Sequence, residues 1–219
     1  MSTYSLKNDG RKQLSAHFQV REFACKDGSD TIIINQDLIT VLEKLFSQLN
    51  AKAINITSGY RTPSHSVKVG GYSTDQHTKG NAADIKCKKQ DGSLFSSQEI
   101  TIALEEIGHS GGVGLINKQN SVHVDVRGKK CWFDETNGEK LVSSWHNYWG
   151  VSAPAKTHKG TPYTMTCQML KVRKSATTLS KQVGQYSRGE TFYVIGRRGN
   201  WCQLESGNWI CAGKYLKRV

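Results

Sequence analysis

The sequence lacks the features that mark membrane-spanning and secreted proteins. It has no apolar run near the ~18 residues that a membrane-spanning helix needs, so we expect no membrane insertion. The N-terminal stretch MSTYSLKNDGRKQLSAHF has no apolar core, so it does not read as a secretory signal. We therefore expect synthesis in the cytoplasm, and any action outside the cell requires release by another protein.

No C-x-x-C pair occurs among the six cysteines, which argues against a zinc ribbon. Because a reducing compartment is expected, buried free thiols are the favoured interpretation. One alternative stays open. Cys202 and Cys211 are spaced so that they can face each other across a hairpin and form a disulfide.

Acidic residues are scarce near the C-terminus. The net charge of the chain is +12, yet residues 1–159 contribute only +4, with 20 Lys and Arg against 16 Asp and Glu. Residues 160–219 contribute +8, with 10 basic residues against 2 acidic ones. The sequence thus predicts a small basic module beside a nearly balanced larger one. Such a module suits a polyanion, namely nucleic acid, anionic lipid or an anionic wall polymer.

The first 150 residues have the hydrophobic pattern of an α+β fold. Apolar residues at helical spacing predict helices over 36–50 and 96–108, the second with an N-cap at Ser96 or Ser97. Short β-branched or alternating runs predict strands at 53–57, 82–87, 112–116 and 121–126. Together these elements predict a small, mostly antiparallel sheet with helices packed on it.

From about Ser143 the pattern changes to a connector without clear periodicity. Its first aromatic residues, Trp145, Tyr148 and Trp149, are expected to pack on the first domain. Beyond Tyr163, about five short β-type runs follow one another with no helix, which indicates a small all-β barrel. The predicted organisation is a first domain over 1–150, a linker over 151–163 and a barrel over 164–219.

Three side chains suited to a metal ion lie in two parts of the first domain, two of them between the predicted helices and one after the second helix. His77 and Asp84 are close in sequence, and His123 lies in the predicted strand SVHVDV. Two imidazoles and a carboxylate are a usual ligand set for catalytic zinc, which keeps a further position open. Asp125 shares a strand face with His123, and Gly80 allows a tight turn between the first two residues. Spacing alone leaves a surface or satisfied-core role open for each histidine.

The segment SGYRTPSHSVKVGGYSTDQHTKGNAADI, followed by SVHVDVRG, resembles the M15-type zinc peptidases of the D-Ala-D-Ala carboxypeptidase and L,D-endopeptidase kind. The resemblance covers roughly residues 15–130. It implies that His77, Asp84 and His123 bind Zn²⁺. It also implies that Arg61 faces the substrate and stabilises the charged tetrahedral species, with Asp75 and Gln76 as further substrate contacts.

Two positions depart from the pattern of that family. Asp75 stands where relatives often have Ser, and Asn120 stands where many have the acidic general base. Because an amide cannot accept the proton of an activated water, Asp125 is the substitute candidate for the base, with Asp75 behind it. Alternatively, Asp125 orients His123 instead of taking a proton.

Residues 164–219 resemble a bacterial SH3-type domain, on the segments LKVRKSATTLSKQVGQYSRGETFYVIG and GNWCQLESGNWICAGKYL. The resemblance implies a cell-wall-binding barrel. Four aromatic residues are candidates for its binding groove, although core packing is the favoured role for at least two of them: Tyr193, Trp201, Trp209 and Tyr215.

Together, these features predict a monomeric zinc metallopeptidase that cleaves peptidoglycan stem peptides, an endolysin of a phage or prophage that acts at the wall after release. The alternative is a catalytically inactive, zinc-containing wall-binding protein, which Asn120 favours. Anionic wall polymers are possible further partners of the basic module, and nucleic acid, which rests on charge alone, is the least favoured one.

Overall fold

A computed structural model describes residues 1–117, 120–153, 159–212 and 215–219. The chain divides into two units, Met1–Ala153 and Pro154–Val219. The predicted linker 151–163 extends to both sides of this division and includes residues 154–158, which lie outside the described residues, so the domain limits stay predictions. Among the described helices, none has the length and apolar character needed to cross a membrane.

The first unit combines short helices with two sheets. Its α-helices are α1 Leu6–Asp9, α2 Gln36–Gln48, α3 Pro63–Lys68, α4 Ser97–Glu106 and α5 Trp145–Trp149. Two 3₁₀ helices are Val20–Phe23 and Glu135–Asn137. Its strands are β1 Ser2–Ser5, β2 Thr31–Ile34, β3 Ala53–Ser58, β4 Ala82–Lys88, β5 Gly112–Asn117, β6 Ser121–Asp125, β7 Cys131–Asp134 and β8 Lys140–Leu141.

The two long helices confirm the sequence prediction, because each has a buried apolar stripe and a polar cap. Leu38, Leu42 and Leu45 of α2 are buried, and the Asn35 side chain accepts a hydrogen bond from the Asp37 N–H at the start of the helix. Helix α4 begins with a capping box, in which Ser96 and Glu99 each accept the backbone N–H of the other.

The main sheet has the strand order β3-β4-β6-β5-β7-β8, and β1 pairs with β2 separately. Its pairs are antiparallel except β5 with β7, which confirms the predicted mostly antiparallel sheet. Strands β4 and β6 lie next to each other inside the sheet, and every residue of β6 is buried. The centre of this sheet therefore holds any polar side chain on these strands in a fixed place.

Several elements of this unit were not predicted, because their sequence carries no strong periodicity. Helix α3 lies within the Gly- and Ser-rich segment that reads as a loop, and it begins at Pro63 with Thr62 as its cap. Helix α5 lies in the predicted connector, where Trp145 is buried and its ring centroid is 6.1 Å from that of Trp132. Trp145, with Tyr148 and Trp149 against it, belongs to the core of the first unit, as expected.

The second unit is one antiparallel sheet. Its strands are β9 Thr161–Met165, β10 Met169–Arg173, β11 Gln182–Ser187, β12 Thr191–Arg198, β13 Trp201–Leu204, β14 Trp209–Cys211 and β15 Leu216–Arg218. The order is β11-β10-β14-β13-β12-β9-β15, so seven strands replace the five that were predicted. The pairings recorded for the described residues leave β11 and β15 at the edges, and a closed barrel stays a prediction.

The register of β13 and β14 shows whether Cys202 and Cys211 can form a disulfide. Cys202 lies opposite Ile210 and Cys211 lies opposite Trp201, so the two cysteines are offset by one residue and point to opposite sheet faces. The possible disulfide does not form, and all six cysteines are free. Among the four candidate groove aromatics, Tyr193, Trp201 and Trp209 are half-buried and Tyr215 is exposed, and both the groove and the core-packing role stay predictions.

Candidate metal centre

Two neighbouring strands bring Asp84 and His123 together. The antiparallel pairing of β4 with β6 places these residues directly opposite each other, and both are buried. Residues paired across a sheet point to the same face. The His123 Nδ1 atom is 3.1 Å from the Asp84 Oδ1 atom.

His77 reaches the same face from the loop that precedes β4. Its Nδ1 atom lies 2.8 Å from the carbonyl oxygen of Gly59, which can only accept, so the imidazole donates Nδ1–H and directs Nε2 at Asp84. Gly80 turns the chain after His77 with φ +68°, a conformation that favours glycine. Gly59 also has to be glycine, because a Cβ there would lie 2.5 Å from the Cα of Phe23.

The three side chains converge on one small space. His77 Nε2 is 3.3 Å from Asp84 Oδ1, and one nitrogen or oxygen of each of the three residues lies within 4.8 Å of the others. The two histidine rings are 5.1 Å apart between centroids. The structure thus brings together the three residues that the sequence predicted to be metal ligands.

Asp125 holds His123 in place. Its Oδ2 atom is 2.9 Å from His123 Nε2, while its Oδ1 atom accepts the backbone N–H groups of Gly112 and Arg127. The Arg127 guanidinium also binds both carboxylate oxygens. Because Asp125 is fully buried and both of its oxygens are engaged, its contacts match the orienting role better than the role of a general base.

The pKa values of this group follow from its charges. Burial opposes charge on His123, but hydrogen bonds to the Asp125 and Asp84 carboxylates raise its pKa to about 9. Burial likewise opposes charge on Asp84, yet the hydrogen bonds from His123 and His77 hold the pKa of this carboxyl well below its usual range. In the metal-free protein a proton on His123 therefore lies where a cation would lie.

The donor set fits zinc. Two ring nitrogens and one carboxylate oxygen point at one another, an arrangement that requires a positive charge between them. Zinc takes such nitrogen and oxygen donors with near-tetrahedral geometry, and binding displaces the proton from the imidazole. The other nitrogen of each ring is held by Gly59 or Asp125, which fixes the ring orientation that a metal site needs.

Arg61 lies against the metal ligands. Its Nη2 atom is 2.6 Å from Asp84 Oδ2, and its Nε atom donates to the Ser58 hydroxyl at 2.8 Å. Asp84 therefore has one oxygen toward the two histidines and one toward the guanidinium. Arg61 is bound to a ligand residue, and a substrate oxygen would have to be met by the remaining N–H groups of its guanidinium.

The other two predicted substrate contacts are occupied by the loop around His77. Asp75 accepts hydrogen bonds from the Ser66 hydroxyl and from the Thr78 N–H. The Gln76 side chain accepts from the Asn81 amide at 3.0 Å. In this structure both side chains thus hold the loop that positions His77.

The sequence reasoning missed three residues near the centre: Arg127, Phe133 and Glu135. Arg127 binds Asp125, as described above. Phe133 of β7 lies two strands from His123 through Gly114, and the two ring centroids are 6.1 Å apart. Glu135 follows two residues later, at the first position of the 3₁₀ helix, and its side chain is exposed.

Glu135 interacts electrostatically with residues of the candidate metal centre. Partial burial of its carboxyl and the nearby negative charge of Asp84 raise its pKa, while His123 and Arg61 act in the opposite direction. The turn is anchored by Asp134, which accepts hydrogen bonds from the Thr136 N–H and the Tyr148 hydroxyl. An acidic residue in the sequence CWFDE, just beyond a strand, was the available signal.

Comparison with known proteins agrees with this geometry. No curated protein and no solved structure matches the chain. A family profile described as Peptidase M15 matches residues 16–125, half of the 219 residues. The matched segment contains His77, Asp84, His123 and Asp125, whereas Glu135 and the second unit lie beyond it. M15 peptidases depend on zinc, and this chain belongs to the peptidase M15 family.

Proposed function

We propose that this protein is a zinc-dependent peptidase that cleaves the stem peptides of bacterial peptidoglycan, at the L-Ala–D-Glu bond or at a bond that involves D-Ala. The observation that carries the proposal is the convergence of His77, Asp84 and His123 within a peptidase M15 chain. These three residues would hold Zn²⁺. When bound, zinc acts as a Lewis acid that activates water and polarises the scissile carbonyl.

Arg61 is proposed to offset negative charge on the substrate. The tetrahedral species of peptide hydrolysis carries charge on oxygen, and a fixed guanidinium in a buried setting stabilises that charge without reorganisation. The bonds from Arg61 to Asp84 and Ser58 support the role, because they hold the guanidinium rigidly beside the metal ligands.

Asp125 is proposed to orient His123 and increase its basicity as a ligand. Asp125→Asn is then expected to weaken zinc binding by about 10–100-fold, the range found for loss of such a carboxylate partner. Competition with a chromophoric chelator measures the affinity. Asp134→Asn is the matched control, since Asp134 is also buried on the sheet but contacts Thr136 and Tyr148. Equal affinities of the two variants would contradict the orienting role.

Glu135 is proposed as the group that handles the proton, in place of the Asn120 amide. It takes a proton from the attacking water and gives it to the nitrogen of the leaving amine, so that the carboxylate is restored. The residues paired across four strands are Asp84, His123, Gly114 and Phe133. Glu135 follows β7 directly in the chain, and the charges of His123, Asp84 and Arg61 act on its carboxyl. Asn120 instead lies in the β5–β6 turn with φ +55°, a conformation that asparagine tolerates.

The second unit is proposed to be an SH3-like module that binds the cell wall. Trp201 and Trp209 lie on the sheet face opposite the core, offset by two residues across the β13–β14 pair. Arg173 is paired with Trp209, so a basic group lies beside the aromatic pair. Aromatic and cationic groups on one face suit a glycan with acidic substituents, and the net charge of this unit agrees.

The double variant Trp201→Ala, Trp209→Ala is expected to lower the affinity for purified walls by at least about tenfold. A tryptophan that packs against the partner at the centre of an interface typically contributes about 2 kcal/mol to binding. Cleavage of a soluble stem peptide should not change. Co-sedimentation with walls measures the bound fraction. Leu179→Ala is the control, because Leu179 is 94% exposed in the same unit. If the double variant sediments as the unchanged protein does, this face is not the wall-binding face.

The function as a whole is tested on purified walls. Loss of turbidity, followed by end-group analysis of the released fragments, identifies the bond that is cut. The second candidate, a zinc-containing wall-binding protein without catalysis, is favoured by Asn120 and predicts binding with no new peptide termini. We propose further that the protein acts as an endolysin of a phage or prophage, at the wall after release from the cytoplasm, where the basic module raises the local concentration of the enzyme.

A further inference from the structure

A second group of metal-binding side chains lies in the first unit, apart from His77, Asp84 and His123. Cys25, Asp27 and His65 each offer one ligand atom, and the three atoms lie within 4.8 Å of one another. The two groups share no residue. Sequence reasoning treated Cys25 as a buried thiol and His65 as a surface or core histidine, so neither was expected here.

The backbone places Cys25 beside the segment that carries Arg61. Cys25 follows the 3₁₀ helix Val20–Phe23, and the Phe23 carbonyl accepts the N–H of Tyr60 at 2.9 Å. Two residues further along both segments, the Cys25 sulfur accepts the N–H of Thr62 at 3.4 Å. The sulfur is thus already in the acceptor role that a thiolate ligand has.

Thr62 joins all three candidate ligands. Besides its N–H bond to Cys25, its hydroxyl donates to Asp27 and accepts the backbone N–H of His65 at the start of α3. Two segments far apart in sequence, one with Cys25 and Asp27 and one with Thr62 and His65, are therefore tied together by Thr62. Such an arrangement keeps the ligands at a fixed separation before any ion binds, which lowers the entropy cost of binding.

The three side chains differ in their exposure to solvent. Cys25 is buried, His65 is half-buried and Asp27 is exposed, so the group opens to solvent on the side of Asp27. Within the described residues, the His65 imidazole has no hydrogen-bond partner. Asp27 accepts hydrogen bonds from the Thr62 hydroxyl and from the Ser29 N–H, which hold its carboxylate in place.

We propose that Cys25, Asp27 and His65 bind a second divalent metal ion of the zinc class, with solvent completing the coordination. One thiolate and one carboxylate balance the charge of the ion, and binding releases the proton of the thiol. A thiolate ligand selects zinc, cadmium or cobalt over magnesium and calcium. The ion would brace the Cys25 loop against Thr62, the residue after Arg61, and so stabilise the segment that carries the guanidinium.

Cobalt provides a direct test, because charge-transfer absorption from a thiolate to Co²⁺ appears only when sulfur binds the metal. The proposed catalytic centre has no sulfur ligand. Metal-free protein titrated with Co²⁺ should therefore develop near-ultraviolet absorption that Cys25→Ser abolishes and Cys131→Ser keeps, since Cys131 is a half-buried thiol of the same unit. Elemental analysis should give two zinc ions per chain, and one in Cys25→Ser.

Two further variants keep the test valid if Cys25→Ser does not fold. Asp27→Asn and His65→Gln retain polar side chains at accessible positions, and each should lower the cobalt affinity of the sulfur site by tenfold or more. The outcomes are independent of peptidase activity, because His77→Ala should keep the near-ultraviolet absorption whether or not the protein hydrolyses walls. Absorption that survives Cys25→Ser, or none in the unchanged protein, would overturn the proposal.

Discussion

His77→Ala is expected to abolish hydrolysis of peptidoglycan and to remove one zinc ion from each chain. The variant leaves two of the three proposed ligands, and the Oδ1 atom of Asp84 then has only His123 opposite it, while its Oδ2 atom stays bound to Arg61. Loss of an outer partner such as Asp125 costs about 10–100-fold in zinc affinity, so loss of a ligand itself should cost more than ~100-fold. Elemental analysis and the release of peptide termini from walls measure the two effects.

The control for this variant is another histidine with a defined partner. His17 lies 2.7 Å from Glu43 and stacks on Phe46, and it belongs to neither metal-binding group. His17→Ala should keep both the zinc content and the rate. Asp84→Asn is a second test with little change of shape, and it should behave as His77→Ala does. Full hydrolysis by a folded His77→Ala protein would contradict the proposed catalytic centre.

Glu135→Gln is expected to lower kcat by about 10²–10⁴-fold while zinc stays bound. The amide keeps the size and the polarity of the side chain, but it cannot accept a proton from water. KM should change little, because the proposed role concerns the reaction and not the binding of the peptide. Steady-state rates on a soluble stem peptide, together with the zinc content, separate the loss of proton transfer from the loss of metal.

Glu139→Gln is the matched control, since Glu139 is an exposed acid near the same turn. It should keep the full rate. Glu135→Gln also separates the two proposed functions. If the protein is a wall-binding protein without catalysis, the unchanged protein already shows no hydrolysis that this variant could reduce. Should Glu135→Gln retain the full rate with zinc bound, another group handles the proton, and the assignment of Glu135 fails.

Much of the first unit could be predicted because its elements carry local signals. Helix α2 has its leucine stripe and Asn35 cap, and β4 and β6 have alternating or β-branched residues. The candidate metal ligands were named from the sequence because the segments that hold them resemble M15-type peptidases, whereas spacing alone left their roles open. That reasoning gave the right neighbours, and the structure adds the reason: His123 lies opposite Asp84 in a strand pair.

The remaining features depend on contacts that no local pattern encodes. Strand β7 pairs with β5 in parallel, and this pairing brings Phe133 to the face of His123, with Glu135 next to the end of β7. Asp125 shares that strand face with His123, as period two predicts, yet its engagement by Arg127 and Gly112 became visible only in three dimensions. The Cys25 group likewise depends on Thr62, which connects segments 37 residues apart.

The most direct measurement of the central claim is anomalous X-ray scattering at the zinc edge from crystals of the zinc-loaded protein. We expect a peak bounded by His77 Nε2, Asp84 Oδ1 and His123 Nδ1, at about 2.0–2.2 Å from each atom. A map without density there, with these side chains turned away from one another in zinc-saturated crystals, would contradict the account.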